Sequence, residues 1–488
     1  MDAHVLALMA GAPSVFWPFA VLIISLAAII ILITTLRVHA FLALILAAIL
    51  AGLLAEKLPG EYGTMPNDPD KERSHWIQAV ELTTAEFGST AGKIGVVIAL
   101  ASVIGMCLME SGAADKVVRR FIAAFGEKRA GAAIAASSYF LSIPIFFDTF
   151  FMLLLPLARA MRVRTGKDYL LYVMAICCGG TVTHSLIAPH PGPLAMAETL
   201  RIDLGLTIIA GIIVGMVPTI ASWFAVKWLN RSFDVPLRET PGAPLEDLKS
   251  IVNKPEAELP SFLASITPVI LPIFLISLAS ALAAIKGVKE NYPALYHWVG
   301  FIGNRNIALL IGALIAMGLL VRQKGLSLTR VNELIGPPFE TAGVIILITS
   351  AGGAFGLMLK NAGVGDAIQA AVAGRGINLI FLSWLVAAVI RVAQGSATVA
   401  MLTTAAMIYP MMSNAPLPYH PVYIFMAIGF GAMLLSWMND SGFWVVGRLS
   451  GFTEKETLKS WTVVVTVNSV VGLLTCLLLS IVLPFKPH

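Results

Sequence analysis

Four polar strings interrupt otherwise apolar stretches of the 488-residue chain: SIPIFFD (142–148), THSLIAPHPGP (183–193), RVAQGSATV (391–399) and SWMNDSGFW (436–444). Their side chains suit the capture of a small carboxylate. In the third string, Arg391 carries a planar guanidinium fork that grips a carboxylate through two parallel hydrogen bonds, and an arginine at membrane depth is costly enough to mark function by default. Gln394, Gly395, Ser396 and Thr398 follow it, small polar groups around a glycine that lets backbone approach a ligand closely. In the second string, Pro189, Pro191 and Pro193 end a helix near His190, because proline lacks an N–H and clashes with the preceding turn. Gly192 then turns the chain, and the helix that starts after the break points N–H groups and a positive dipole end at an anion. Thr183, His184, Ser185 and His190 add side-chain donors there, Ser142 does so in the first string, and Asn439 and Ser441 flank Asp440 in the fourth. The plainer alternatives are a packed proline kink with two satisfied histidines, and an Arg391 that pairs with Asp440 or caps carbonyls. That pairing is compatible with carboxylate binding if the two arrangements alternate.

Asp148, Asp440, His184 and His190 are the proton-carrier candidates. Burial disfavours a charged carboxyl and histidine changes charge near neutrality, so each could load a proton on one side and release it on the other. A structural role is as good a reading for any one of them.

These strings sit in a chain that is 58% hydrophobic and only 12% charged, about half the charged share of soluble domains. Long apolar blocks alternate with short charged ones, so the bilayer is the solvent. The net charge of +5 does not point to nucleic acid, because the basic residues crowd into a few loops, as retention on the cytoplasmic side requires. Cys107, Cys177, Cys178 and Cys476 lie inside apolar blocks and read as packing residues. Residues 1–15 carry Asp2 and no Lys or Arg, so the first span reads as retained.

A helix needs about 20 apolar residues to cross a bilayer. That ruler places ten full spans near 16–36, 40–55, 94–109, 169–189, 204–226, 262–285, 305–321, 341–359, 420–438 and 460–483. Two further apolar stretches, 131–157 and 377–410, are broken in the middle. Lys116, Arg119 and Arg120 precede the first and Arg159, Arg162 and Arg164 follow it, so a re-entrant hairpin keeps both clusters inside. Few basic residues flank the second, which should open outward. Parity then puts both termini and the 56–92 loop outside and the 231–260 linker in the cytoplasm.

GMCLMESGAAD (105–115) aligns without gaps on GLMLKNAGVGD (356–366), and each copy is followed by a broken hairpin, a broken span and a final span. Opposite orientation of similar units is the signature of an inverted repeat. The division expected is 1–93 for N-terminal spans and an external loop, 94–230 for repeat one (hairpin 131–157, broken helix 169–200), 231–340 for a linker and two connecting spans, and 341–488 for repeat two (hairpin 377–410, broken helix 420–455). The fold class is therefore an all-α polytopic membrane protein. Gly352 and Gly356 predict close helix packing, and the amphipathic pieces 110–130 and 322–338 predict interfacial helices.

Enzymatic readings are weaker. Gly363–Asp366 spells the GxGD string of an intramembrane aspartyl protease, yet no Tyr-Asp dipeptide supplies a second aspartate, and Asp366 has Asp115 as its repeat counterpart. No HExxH or GxSxG motif occurs. No cofactor or metal site is expected, and a channel fits inverted hairpin repeats less well than alternating access.

IPIFFDTFFMLLLPLA (143–158), the APHPGP break (188–193), RVAQGSATVA (391–400) and NDSGFW (439–444) followed by TEKETLKSW (453–461) together resemble the gluconate permease (GntP) family of the ion-transporter superfamily. The resemblance runs from about residue 94 to the end. It implies a bacterial inner-membrane symporter, generally proton-coupled, for gluconate or a related hydroxy acid such as D-serine, glycerate or 3-hydroxybutyrate, with hairpins meeting at the bilayer centre and a homodimer as the assembly. Sodium is the alternative coupling ion. Asp148 and Ala188 depart from the family pattern, which has a glutamate after the paired phenylalanines and a second proline ahead of HPGP, and this leaves the substrate open.

Overall fold

The computed structural model describes residues 16–485 except 59–63, 66–67, 73, 127–128, 239–257, 286, 365–366, 368–377, 414–416 and 439. Side chains of residues 30, 33, 34, 148, 149, 284, 328, 393, 394 and 413, and of the strands, also lie outside the description. Apolar runs become helices because hydrocarbon offers backbone N–H and C=O groups no partner but one another. The chain opens with α1 (Phe16–Ile30), a π-helical turn (Ile31–Thr35) and α2 (Ala40–Leu54), then a short antiparallel strand pair, Thr64–Met65 with Asp68–Glu72. There follow α3 (His75–Glu110), α4 (Ala113–Phe125), α5 (Ala130–Leu141), α6 (Phe147–Thr165), α7 (Tyr169–Leu186), α8 (Pro191–Leu200) and α9 (Leu204–Ser232). The middle holds α10 (Phe262–Ala284), the short α11 (Val288–Asn291), α12 (Pro293–Ile302) and α13 (Arg305–Lys324). The last part comprises α14 (Leu328–Asn361), α15 (Leu379–Gln394), α16 (Ala397–Ser413), α17 (Val422–Gly431), α18 (Ser441–Ser450) and α19 (Glu454–Val482).

Among the described residues, seven helical runs are long and apolar enough to cross a membrane: α3, α7 with α8, α9, α10, α13, α14 and α19. Shorter apolar helices fill in around them, so the chain is a polytopic helical membrane protein. Two expectations change. Residues 75–92, read as part of an external loop, belong to the 36-residue α3, because their few charges are spaced widely enough for helix to continue through them. The piece 322–338 is not a separate helix: the chain turns at Gly325, in the left-handed region, and restarts at Leu328 under a Ser327 cap as one 34-residue helix. Pro337 and Pro338 lie inside it and leave the carbonyls of Glu333 and Leu334 without their helical donors, while Thr341 Oγ1 donates back to the carbonyl of Pro337 at 3.3 Å.

All four polar strings fall where helices stop: 142–146 between α5 and α6, 187–190 between α7 and α8, 395–396 between α15 and α16, and 432–440 between α17 and α18. Helix α7 is the hub, buried almost throughout and packed on α5, α6, α9 and α19. Its approach to α5 is close enough that a Cβ at Gly179 would meet Tyr139 N at 2.7 Å and Ser138 Oγ at 2.8 Å. On the other side α14 packs on α2, α3 and α16. The expected role of Gly352 and Gly356 is borne out, since a Cβ at either would run into Leu402 or Ala406 of α16. All four cysteines are buried and free.

One surface strap holds the far end of α18. Arg238, beyond the end of α9, donates to Gly451 O (2.6 Å) and grips both carboxylate oxygens of Glu456 at 2.7 and 2.9 Å. Glu456 also closes the capping box with Thr453 that starts α19. Tyr169 Oη donates to Ser450 O at 2.9 Å, tying the start of α7 to the same point.

Candidate functional site

The first half of the site grows from the α7–α8 break. Helix α7 closes with Ile187 N–H donating to Thr183 O (2.9 Å), and a cis Ala188–Pro189 bond leads to His190, which precedes the first residue of α8. The buried His190 ring turns toward the α5–α6 break, its Nε2 donating to Ser142 O at 2.7 Å. The carbonyl can only accept, so the Nε2 proton is assigned by this bond. Ser142 Oγ in turn bonds Thr183 Oγ1, which also faces Gly179 O and Gly180 O at 3.2 Å. His184 stacks edge-on against His190 with ring centroids 4.8 Å apart, and its buried Nδ1 has no partner among the described residues. This half is a relay of hydroxyls and imidazoles that holds no ion pair among the described residues.

The second half is ionic. Arg391, in the last turn of α15, is 5% exposed; it donates to Gly395 O and pairs with Asp440 across the two breaks of the C-terminal part. Asp440 caps α18, its Oδ1 accepting Gly442 N–H at 3.0 Å, while Oδ2 also accepts from Ser436. Ser436 Oγ takes a hydrogen bond from Trp461 Nε1 (2.7 Å) and Ser436 O takes one from Thr462 Oγ1 (2.5 Å). A buried ion pair stands only when further hydrogen bonds satisfy both partners, and this one has them on each side. The plainer reading of Arg391, pairing with Asp440 and capping a carbonyl, is the arrangement present here. Nε of Arg391 remains buried without an acceptor among the described residues.

The halves touch. Helices α8 and α16 pack together, and a Cβ at Gly192 would collide with Met401 and lie 3.8 Å from Thr398 Cα, so the two helix N-termini begin side by side. His184 lies within electrostatic reach of both Asp440 and Arg391, and the Phe147 ring at the head of α6 lies 5.3 Å from Trp461. One expectation is corrected by covalent chemistry: Pro191 and Pro193 have no N–H, so between 191 and 193 only Gly192 offers one. Ser396 accepts Val399 N–H at 3.3 Å and caps α16, leaving Ala397 and Thr398 as that helix's unclaimed N–H groups within the helix itself.

Ser142, Thr183, Ser185, His190, Arg391, Gly395 and Asp440 are buried, His184, Ser396 and Thr398 half-buried, and Ser441 exposed. The backbone of Ser185 abuts Gly429 of α17, away from the break. Asn439 and the side chains of Asp148 and Gln394 lie outside the described residues. Sequence reasoning named neither Ser436 nor Trp461 as a site residue, although both stand in strings already quoted, 436–444 and 453–461; the second lies 21 residues beyond Asp440 in another helix. A cavity of about 220 Å³, lined in part by Ser102, Glu110, Pro144, Phe146 and Thr341, reaches the α5–α6 break. The Phe146 ring, part of that lining, stands 6.5 Å from the His190 ring.

Residues 17–482 match the family model described as GntP family permease. The chain belongs to the GntP permease family. This permease is 34% identical over 463 residues to a gluconate permease of Pseudomonas aeruginosa, covering 94% of this chain and 97% of that one. It is 31% identical to the Gnt-II system L-idonate transporter of Escherichia coli, over 96% of this chain and all of the relative. In fold it is similar to the crystal structure of the Alcanivorax borkumensis YdaH transporter, with a TM-score of 0.62 at 13% identity, covering 92% of this chain and 98% of the other. Membership in a permease family and the spanning helices make this a multi-pass membrane transport protein rather than an enzyme.

Proposed function

We propose that this permease imports gluconate or a closely related hydroxy-carboxylate by proton symport with alternating access. The observation that carries the reading is the buried Arg391–Asp440 pair where two broken elements meet. A substrate carboxylate replaces Asp440 on the guanidinium fork, whose Nε has no acceptor among the described residues. Asp440, left without its cation, takes up a proton, because a lone buried carboxylate costs several kcal/mol. Binding of the acid and binding of the proton then favour each other. Gly192 and Thr398 N–H groups, with Ser396, Thr398, Ser441, His184 and Ser142, read the hydroxyls; Asn439 and Gln394 complete the set. Asp148, His184 and His190 remain the other proton carriers in this scheme.

The family and the names of relatives, gluconate permease and L-idonate transporter, support the substrate class. The reading includes ten full spans, two re-entrant hairpins at 131–157 and 377–410, inverted repeats at 94–230 and 341–488, external termini and a homodimer in the inner membrane. A monovalent acid carried with one proton moves no net charge, so one pH unit supplies about 1.4 kcal/mol and voltage supplies nothing. The experiment is uptake of labelled gluconate into proteoliposomes under an imposed inward proton gradient, with L-idonate, D-serine, D-glycerate and 3-hydroxybutyrate as competitors and an inward sodium gradient as a second arm. Gradient-driven accumulation of gluconate is expected. Accumulation driven only by sodium rejects proton coupling, and inhibition by one competitor without gluconate uptake moves the substrate.

A further inference from the structure

The cavity of about 220 Å³ beside the α5–α6 break is walled by α3 and α14, which pack on each other. Gly105 of α3 stands in that wall, where a Cβ would lie 3.4 Å from the carbonyl oxygen of Pro144, so the helix runs directly against the break. About 8 Å further along its axis, α3 ends at Glu110. Glu110 is exposed, and among the described residues it forms no ion pair and is the one charged group in the lining.

The polar side chains of the wall all offer the same kind of bond. Ser102 Oγ donates to Ile98 O at 2.9 Å, and Thr341 Oγ1 donates to Pro337 O at 3.3 Å. A hydroxyl has a single proton, so once it is committed only lone pairs remain. An ionised carboxylate likewise accepts and cannot donate. The described lining side chains therefore present acceptors alone, one of them fully charged. That suits a small cation with its water, as carboxylate-lined pores do, and it repels the carboxylate of a hydroxy acid.

The inner end of the cavity is the break itself. Pro144, Ile145 and Phe146 line it, Ser142 of the same break accepts from His190 Nε2 at 2.7 Å, and the Phe146 ring stands 6.5 Å from the His190 ring. Irregular backbone at membrane depth is tolerated where it lines water.

We propose that this cavity is a vestibule for a small monovalent cation, the coupling ion, which Glu110 draws in and the oxygens of Ser102 and Thr341 pass toward the break at Phe146. The hydroxy acid reaches Arg391 by another way, so ion and acid do not compete for one entrance. That the ion is the coupling ion rests on the symport reading; that it is a cation rests on the wall.

The test puts a thiol in the wall. Met106, a half-buried lining residue one turn from Glu110, is changed to Cys, and the four native cysteines are buried. Reaction rates of the purified full-length permease with a cationic and an anionic methanethiosulfonate are measured, and their ratio is divided by that for free cysteine. With M106C the corrected ratio should favour the cation about tenfold, the effect of one charge about 6 Å away on reagents of opposite sign. Adding E110Q should bring it within about twofold of free cysteine, and E110D should keep the preference, which separates lost charge from misfolding. A ratio equal to that of free cysteine in M106C, or one that favours the anion, overturns the proposal. In proteoliposomes, E110Q alone should need about threefold more of the driving cation for half-maximal uptake with the KM for the acid unchanged; protons without sodium and sodium at fixed pH are separate arms, and the arm in which wild type saturates names the ion. Unchanged cation dependence in E110Q overturns the coupling role. Absence of uptake by wild type in both arms counts against the symport reading, while the thiol rates still decide whether the cavity selects cations.

Discussion

The two halves of the site solve the same problem differently. At the α7–α8 break the chain exposes backbone in the membrane interior and satisfies it without an ion pair among the described residues: Ser142, Thr183 and His190 bond one another, and prolines remove donors that would need partners. At the α17–α18 break the chain places a full ion pair, Arg391 with Asp440, and surrounds it with Ser436, Gly442 N–H and Gly395 O. A network of hydroxyls, imidazoles and carbonyls holds its shape through directed hydrogen bonds, whereas an ion pair responds to any arriving charge. The difference assigns steadiness to the first half and responsiveness to the second.

Asp440→Ala should break the contrast hardest. It strands a buried guanidinium at a cost of about 3–5 kcal/mol, read as a drop in the thermal unfolding midpoint of the detergent-solubilised protein, with uptake lost. The double change Arg391→Ala with Asp440→Ala removes both charges and should recover much of that stability; a double variant no more stable than the single one would show that the pair is not the unit that matters.

Asp440→Asn keeps the shape and removes the charge. Exchange of labelled substrate across equal gradients should persist while gradient-driven accumulation disappears, and normal accumulation would remove Asp440 from coupling. His190→Ala, in the half without an ion pair, leaves Ser142 O with only the longer bond from Ile145 N–H at 3.3 Å and should cost about 1 kcal/mol. Its uptake should slow yet still follow the proton gradient. If coupling is lost in His190→Ala and kept in Asp440→Asn, the two halves have exchanged roles.

Gly192→Ala probes the seam between the halves. The new methyl meets the end of the Met401 side chain, which can swing aside, so the cost falls near the low end of overpacking, about 1 kcal/mol. Met401→Ala in the same chain should relieve it, and no relief would place the strain elsewhere. Glu456→Gln is the smallest effect expected. Its pair with Arg238 is part-exposed, with 37% and 20% of the side chains accessible, and such pairs contribute about 0–1 kcal/mol. Uptake by this variant should match wild type, and a coupling defect would tie the surface strap to the breaks.

Much of the site was legible because polarity inside an apolar run is conspicuous at any distance from its partners. The proline-rich string, Arg391, Asp440 and the glycine pair of α14 all announce themselves in that way, and all lie where their types suggest. What escaped were relations. Trp461 is an ordinary tryptophan in an apolar helix until Ser436 is seen beneath its Nε1, and the span boundaries at 75 and 328 shifted because a few charges or two prolines are tolerated once neighbouring helices supply partners.

By itself the sequence determined that the chain lives in a membrane, that its helices stop at four polar strings, and which groups those strings carry, since hydropathy and proline chemistry act locally. Tertiary structure alone decided that Arg391 faces Asp440, that His190 faces Ser142, and that the α8 and α16 N-termini start side by side at Gly192 and Thr398. Such pairings join residues dozens to hundreds of positions apart. They follow from how whole helices pack, and no local pattern encodes that.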